Sequence, residues 1–327
     1  MDLTKPIDIS SVNNTAVKYK KEIKTLDMLA ADRLLKHFSL VSGVTDSIVL
    51  SHMVPGDNNS RGYDGTFTAD KKIGTITPRT LTVRPIVYEI SDEPERLRRT
   101  FITEVRGKVE NPEDFYRWLI EWCIAKASEE LYNALMVADY NSGTAGAHIN
   151  NAFDGLGTII SDEITAANIS AANGNYYDPL TAYTAANIGD LLLAHVRSLP
   201  ATFRDKGGLI IMSTDMGDLY DDWYKAEHDA PPMVDTAGQT VLDGTNGKFK
   251  ISRQPNFSDQ RVIITRDNNI VYGTDKMSDM ASLKAFNSGN PYLFTATMKY
   301  VFGLQIVSLD KSLFSTNKLY STSGSGS

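Results

Sequence analysis

Five histidines, His37, His52, His148, His195 and His228, are the first residues to weigh for catalysis or metal binding. A zinc-type site needs imidazole or thiolate ligands at short, repeated spacing. These five stand far apart, and the one cysteine, Cys123, has no histidine at ligand spacing. His195 falls in a helical pattern near its apolar face, where a packed or hydrogen-bonded imidazole is the expectation. Asp215, Asp218, Asp221 and Asp222 could gather a cation. On a helix, however, Asp218 and Asp222 share a face, and Asp215 lies in the first turn, where the helix dipole favours acids. A solvated helix face is therefore expected, and no calcium loop closing on a glutamate at its twelfth position is present. Gly155 and Gly157 flank Leu156 too closely for a dinucleotide fingerprint and are expected to serve turn geometry. No phosphate-cradling glycine loop, serine nucleophile elbow or Cys/His pair occurs. The residues assign no catalytic, cofactor-binding or metal-ligating position, and the chain is expected not to be an enzyme.

Charge carries the remaining chemistry. Lys18, Lys20, Lys21 and Lys24 form a basic cluster, followed at roughly helical spacing by Leu26, Leu29, Leu34, Leu35 and Phe38. The plain reading is a solvated amphipathic face. The functional one is an inward arm that meets packaged DNA or an acidic scaffold protein by non-specific charge. A net charge of −7 argues against wrapping nucleic acid with the whole surface, so any DNA contact must be local. At 327 residues with 42% apolar and 22% charged content, the chain can bury a substantial core. It has no apolar run long enough to span a bilayer and no secretory h-region. A single cysteine excludes an internal disulfide framework and fits a reducing compartment.

The elements that must position these residues follow from pattern. The arm ends at Gly43. Ser47-Ile48-Val49-Leu50 is β-prone, Pro55-Gly56-Asp57-Asn58-Asn59 breaks it, and a second β-prone run extends from Ile73 to Ile90. Pro78 and Pro85 fit edge strands. Together these predict a long hairpin, marginal by itself, that packs against something else. Asn111-Pro112-Glu113-Asp114 is a helix start. The helix should run to about Asp139, with Ile120, Ile124, Ala127, Leu131, Leu135 and Ala138 as its core stripe. At 1.5 Å per residue it would reach roughly 40 Å. Asp162 to Tyr177 reads as loop, and Asn187 to Leu199 as a helix. Pro200 to Gly208 reads as a break. Leu209 to Met212 is a buried strand followed by a helix capped at Thr214-Asp215. Short strands are expected near 249–251 and 262–265, and a longer one from Tyr292 to Leu309, returning to pack on the long helix. No solenoid or propeller repeat is present.

This order of elements carries a resemblance. The hairpin, the long helix and the turn Asn151-Ala152-Phe153-Asp154-Gly155-Leu156-Gly157 come first. The strand–helix unit Leu209 to Trp223 and Asn269-Ile270-Val271-Tyr272-Gly273-Thr274-Asp275 follow. From about Asp46 to Leu309 it resembles the major capsid protein of a tailed bacteriophage of the Hong Kong 97 fold. The resemblance implies an α+β fold with an N-terminal arm (1–45), an extended β-hairpin or E-loop (46–90), and a peripheral domain (91–179) with its spine helix at 111–140. An axial α/β domain (180–285) follows, then a return to the peripheral domain and a C-terminal tail (286–327). The Asn269 to Asp275 segment looks like the closing turn of the axial domain.

The implied function is self-assembly into the icosahedral head shell of a double-stranded DNA phage, around its genome. The implied partners are further copies in hexamers and pentamers, portal and separate scaffolding proteins, and packaged DNA, with no membrane and no cofactor. The implied location is the virion, with host cytoplasm before assembly. Arg61, Tyr63, Lys71 and Lys72 are the expected intersubunit contacts; Lys18, Lys20, Lys21 and Lys24 are those expected on the inner surface or scaffold. Some members of the family crosslink a hairpin lysine to a neighbour's asparagine, and Lys71 or Lys72 with Asn287 or Asn290 could imitate this. Two other readings stand beside it: an encapsulin-type nanocompartment shell, and a soluble α/β enzyme or binding protein.

Overall fold

The computed structural model describes residues 34–55, 73–92, 112–236, 238–255, 260–276, 283–286 and 294–319, with the single residues 60, 62, 65 and 257. The arm lysines, Asn111, most of the hairpin tip, Asn287 and Asn290, and the tail Ser321 to Ser327 lie outside them.

The long helix α1 spans Pro112–Val137, with proline opening it as the sequence implies. Every residue of the expected stripe is buried, and Leu119 and Cys123 extend it. Burial pushes the Cys123 thiol up to about 12, so it stays an inert apolar filler. The helix covers one face of a mixed sheet built of β1 (Ser39–Ser42), β9 (Ile270–Thr274), β11 (Phe294–Ile306) and β10 (Lys284–Phe286), in that order. Strand β4 (Arg84–Asp92) also pairs with β11. Ala296, Met298, Tyr300, Phe302, Leu304 and Ile306 point from β11 into the same apolar cluster as Ile120, Ile124 and Leu131. Strand β11 and the long helix thus share one apolar cluster.

A second sheet has the order β5 (Tyr176–Tyr177), β12 (Phe314–Asn317), β8 (Ile263–Thr265), β6 (Gly208–Ser213), β7 (Phe249–Gln254). Strands β6 and β7 are parallel and therefore need a crossover. The helix α5 (Thr214–His228) lies in it. Period-two alternation makes this sheet a shared wall. Leu209 and Ile211 face the α1 cluster, while Ile210 and Met212 face a second cluster with α3 (Ile188–Ser198), α4 (Ala201–Lys206) and α5.

Several expectations are corrected. The run from Ile73 to Ile90 is two strands, not one arm of a hairpin: β3 (Gly74–Thr82) pairs with β2 (Ser47–Pro55), and β4 turns away to β11. The stretch Asp162 to Tyr177, expected as loop, opens on the last residues of α2 (Leu156–Thr165), and the break after Pro200 contains α4. The cap of α5 is Ser213, whose hydroxyl accepts from the Met216 N–H at 3.1 Å; Thr214 is already helical. Asn269 to Asp275 is no turn. Its centre is β9, fully buried between β1 and β11. Nor do the described residues after β11 stay on the first sheet, because β12 crosses to the second. Among the described residues no helix is long and apolar enough to cross a membrane.

Candidate intersubunit interface

The heptapeptide ending in Gly155-Leu156-Gly157 folds back onto the end of α1 and closes it. Ala138 O accepts from the Gly155 N–H and from the Thr158 hydroxyl (2.7 Å), and Asp154 accepts from the Tyr140 N–H. Orphan groups at a helix C-terminus are thereby satisfied. The glycines do not supply a special turn, since Gly155 has φ −77°. They permit contact: a Cβ on Gly155 would lie 2.8 Å from Ala138 N, and one on Gly157 2.6 Å from Met136 O.

The hairpin is mounted on this frame. Strands β2 and β3 pair in register from Ser47↔Thr82 to Pro55↔Gly74 and, among the described residues, with no other strand. Its inward face ends in a small apolar seat where Leu81, Val83, Val44 and Val271 are buried. The seat exists because Gly273 and Gly303 stand opposite each other in the underlying sheet. A Cβ on Gly303 would meet Thr82 O at 2.1 Å, and one on Gly273 would meet Val83 Cγ1 at 2.6 Å. Beside the seat Arg79 acts as a clamp. Its Nε donates to Ile306 O (2.6 Å) and its Nη2 to Glu163 Oε1 (2.7 Å) and Gln305 Oε1 (3.0 Å). Gln305 in turn donates to Thr80 O. A cleft of about 510 Å³ opens next to this network.

The outward face is different. Val49 is 62%, Met53 47% and Ile76 62% exposed, and Met53 and Ile76 are cross-strand partners. Among the described residues nothing covers this apolar strip on its two-stranded ribbon. The arrangement fixes the foot of the hairpin on the sheet and leaves its outer side exposed for another surface.

The other candidates resolve structurally. His195 is fully buried; its Nε2 is 2.8 Å from Ser315 Oγ, and its ring stacks on Tyr177. Burial lowers its pKa to about 3. Two of the four aspartates, Asp218 and Asp221, take the guanidinium of Arg253. Among the described residues no three His, Cys, Asp or Glu side chains gather as a metal site. Arg61, Tyr63, Lys71, Lys72 and the four arm lysines lie outside the described residues. Arg79, Glu163 and the glycine pair were missed. The one signal was two glycines inside β-prone runs, which mark close backbone approach.

No protein-family model matches this chain, and no curated protein does either. Solved structures do. A chain of the satellite phage P4 procapsid with its size determination (Sid) protein aligns with TM-score 0.56 and 11% identity, over 91% of this chain and 90% of that one. A chain of the cyanophage A-1(L) capsid gives TM-score 0.54 and 14% identity, over 89% and 91%. The capsid of an empty GTA particle gives 0.53 and 14%, over 88% and 90%. At such identities the likeness shows the fold: the chain has the mixed α+β fold of phage capsid subunits.

Proposed function

We propose that this chain is the major capsid protein of a tailed double-stranded DNA bacteriophage, a non-enzymatic subunit that assembles into an icosahedral shell around the genome. The observation that carries the reading, on a fold shared with capsid subunits, is the β2–β3 hairpin: clamped to the body at its foot, self-paired, and apolar on its outer side. Such an arm needs a neighbour. A contact between different patches of like subunits closes into rings, and rings of five and six build a shell.

In this reading the hairpin is the E-loop, ending at Thr82 and not at residue 90. The α1 sheet is the peripheral domain, and the β5-to-β7 sheet with its helices the axial domain. Arg61, Tyr63, Lys71 and Lys72 contact the next subunit. Lys18, Lys20, Lys21 and Lys24 serve scaffold or DNA by charge, and portal and scaffolding proteins complete the assembly. The subunit waits in the host cytoplasm and ends in the virion.

Negative-stain microscopy of the purified protein tests this: closed shells of uniform diameter are expected. A protein that stays monomeric at high concentration, with or without co-expressed scaffold, would overturn it.

A further inference from the structure

One end of the second sheet carries a row of cations. Strands β12, β8, β6 and β7 lie side by side, with Phe314 and Leu209 both opposite Thr265, and Gly208 opposite Phe249. The four strands therefore reach this end together, and just beyond it stand Lys311, Arg266, Lys206 and Lys248, one to each strand. Neighbouring strands are ~4.8 Å apart, so the row spans about 14 Å. Lys206, Lys248 and Lys311 are exposed, and Arg266 is half-buried. Lys248 pairs with Asp205, whose carboxylate is 81% exposed, so the pair is weak. The other three make no salt bridge among the described residues. The remaining acids of these turns are engaged: Asp267 lies 3.6 Å from His37 Nδ1, Asp243 lies 3.5 Å from His228 Nε2, and Asp310 accepts from the Ser312 N–H and hydroxyl. The hydrogen bond from His37 first, and then the charges of Lys250 and Arg266, hold the Asp267 carboxyl below its ordinary range. The opposite end of the sheet differs. Its cations Arg253 and Lys318 are both salt-bridged, to Asp218 and Asp221 and to Asp178.

The turns that carry the row are made of small and amide residues: Gly207-Gly208, Asn246-Gly247, Asn268 and, against Lys311, Asn173-Gly174. Among the described residues, none of the exposed large apolar side chains falls in them. A protein partner is held by apolar anchors at the centre of its interface, and this row offers none. A phosphate backbone asks only for spaced cations and polar groups. Along one strand of a duplex, about 14 Å is the axial rise of roughly four phosphates.

We infer that this end of the second sheet binds the phosphate backbone of double-stranded nucleic acid without regard to sequence, through Lys206, Lys248, Arg266 and Lys311. The surface is separate from the arm lysines and belongs to the folded body, so a free subunit already carries it. Its place inside a shell rests on the capsid reading; the binding does not.

The test uses the full-length, unassembled chain with Lys18→Gln, Lys20→Gln, Lys21→Gln and Lys24→Gln, which removes the arm's charge. Fluorescence anisotropy with a short labelled duplex of arbitrary sequence should still detect binding. Affinity should fall about 100-fold from ~50 to ~200 mM salt, as for roughly four phosphates neutralised. Adding Lys206→Gln and Lys311→Gln should reduce the slope of log affinity against log salt by about 2 and leave the circular dichroism unchanged. The control pair Lys126→Gln and Lys299→Gln, exposed on α1 and β11, should leave the slope as it was. Three results would each overturn the surface: no binding without the arm lysines, an equal loss from the control pair, or displacement by polyglutamate as readily as by unlabelled duplex. The last would mark an acidic protein as the partner. Shell formation is scored by microscopy and can succeed in all three cases, so the two readings fail separately.

Discussion

His195 is a neutral imidazole that folding forbids to charge. Its folded pKa of about 3 lies below the ordinary 6.5, because burial penalises the cation. Above pH 6.5 the group is neutral folded or unfolded, and its contribution is whole. As pH falls towards 3 the unfolded chain binds a proton that the folded one refuses, and stability drops by ~1.4 kcal/mol per unit. At pH 5 the loss is about 2 kcal/mol. Urea midpoints at pH 7.5 and 5 should therefore lie closer together in His195→Gln than in the wild type; an equal gap would contradict the buried neutral assignment. Arg79 acts at the same scale. Arg79→Ala removes the donors to Ile306 O, Gln305 and Glu163, leaving the Glu163 carboxylate with Asn168 Nδ2, with a cost of ~1.5–3 kcal/mol for the lost charged hydrogen bonds. Hydrogen exchange should quicken in β2 and β3 and stay unchanged in α1. His195 was legible as a packed residue, because it sits on an apolar helical stripe. Arg79 was not: its partners Glu163 and Gln305 are 84 and 226 residues away, and no local pattern announces them.

Elements differ in legibility by length. Helix α1, 26 residues long, repeats its apolar stripe often enough to fix both ends and the buried face. Leu131, 5% exposed, tests that face: Leu131→Ala should cost ~2–5 kcal/mol through its cavity, read as a lower denaturant midpoint. Helices α2 and α4, at 10 and 6 residues, offered too few turns for a period to emerge among small and polar residues. The run at 73–90 reads as one strand because both halves are β-prone; only non-local pairing separates them at Val83. Gly303→Ala probes that division directly. The new methyl meets Thr82 O and must lift the hairpin foot, with an overpacking cost of ~1–3 kcal/mol. The subunit should stay folded by circular dichroism while shell yield falls steeply.

At the scale of the molecule, the order of elements was legible and their wiring was not. The crossing of β12 to the second sheet leaves no mark in the sequence of either strand. The arm's purpose is tested by deleting residues 56–71. A polar tip adds little to a core, so the shortened subunit should remain soluble and melt near the wild-type temperature. Shells should fail to form, and shells of normal yield would refute the intersubunit role of the hairpin.

The same wiring sets a schedule for synthesis. β11 is an inner strand of the first sheet and β12 an inner strand of the second, yet both follow every other described strand in the chain. Strand β1 waits for β9 across most of the chain, and His195 waits for Ser315, 120 residues later. A ribosome adds roughly 5–20 residues per second, so each nascent subunit spends roughly 6–25 s with both sheets begun and neither complete. Topology this non-local also folds slowly once complete. A prematurely ended chain therefore lacks the Gly273–Gly303 seat and cannot mount its hairpin. Strand β11, which completes the frame under the contact arm, is translated after the hairpin it must mount, so a chain that stops before it cannot present that arm.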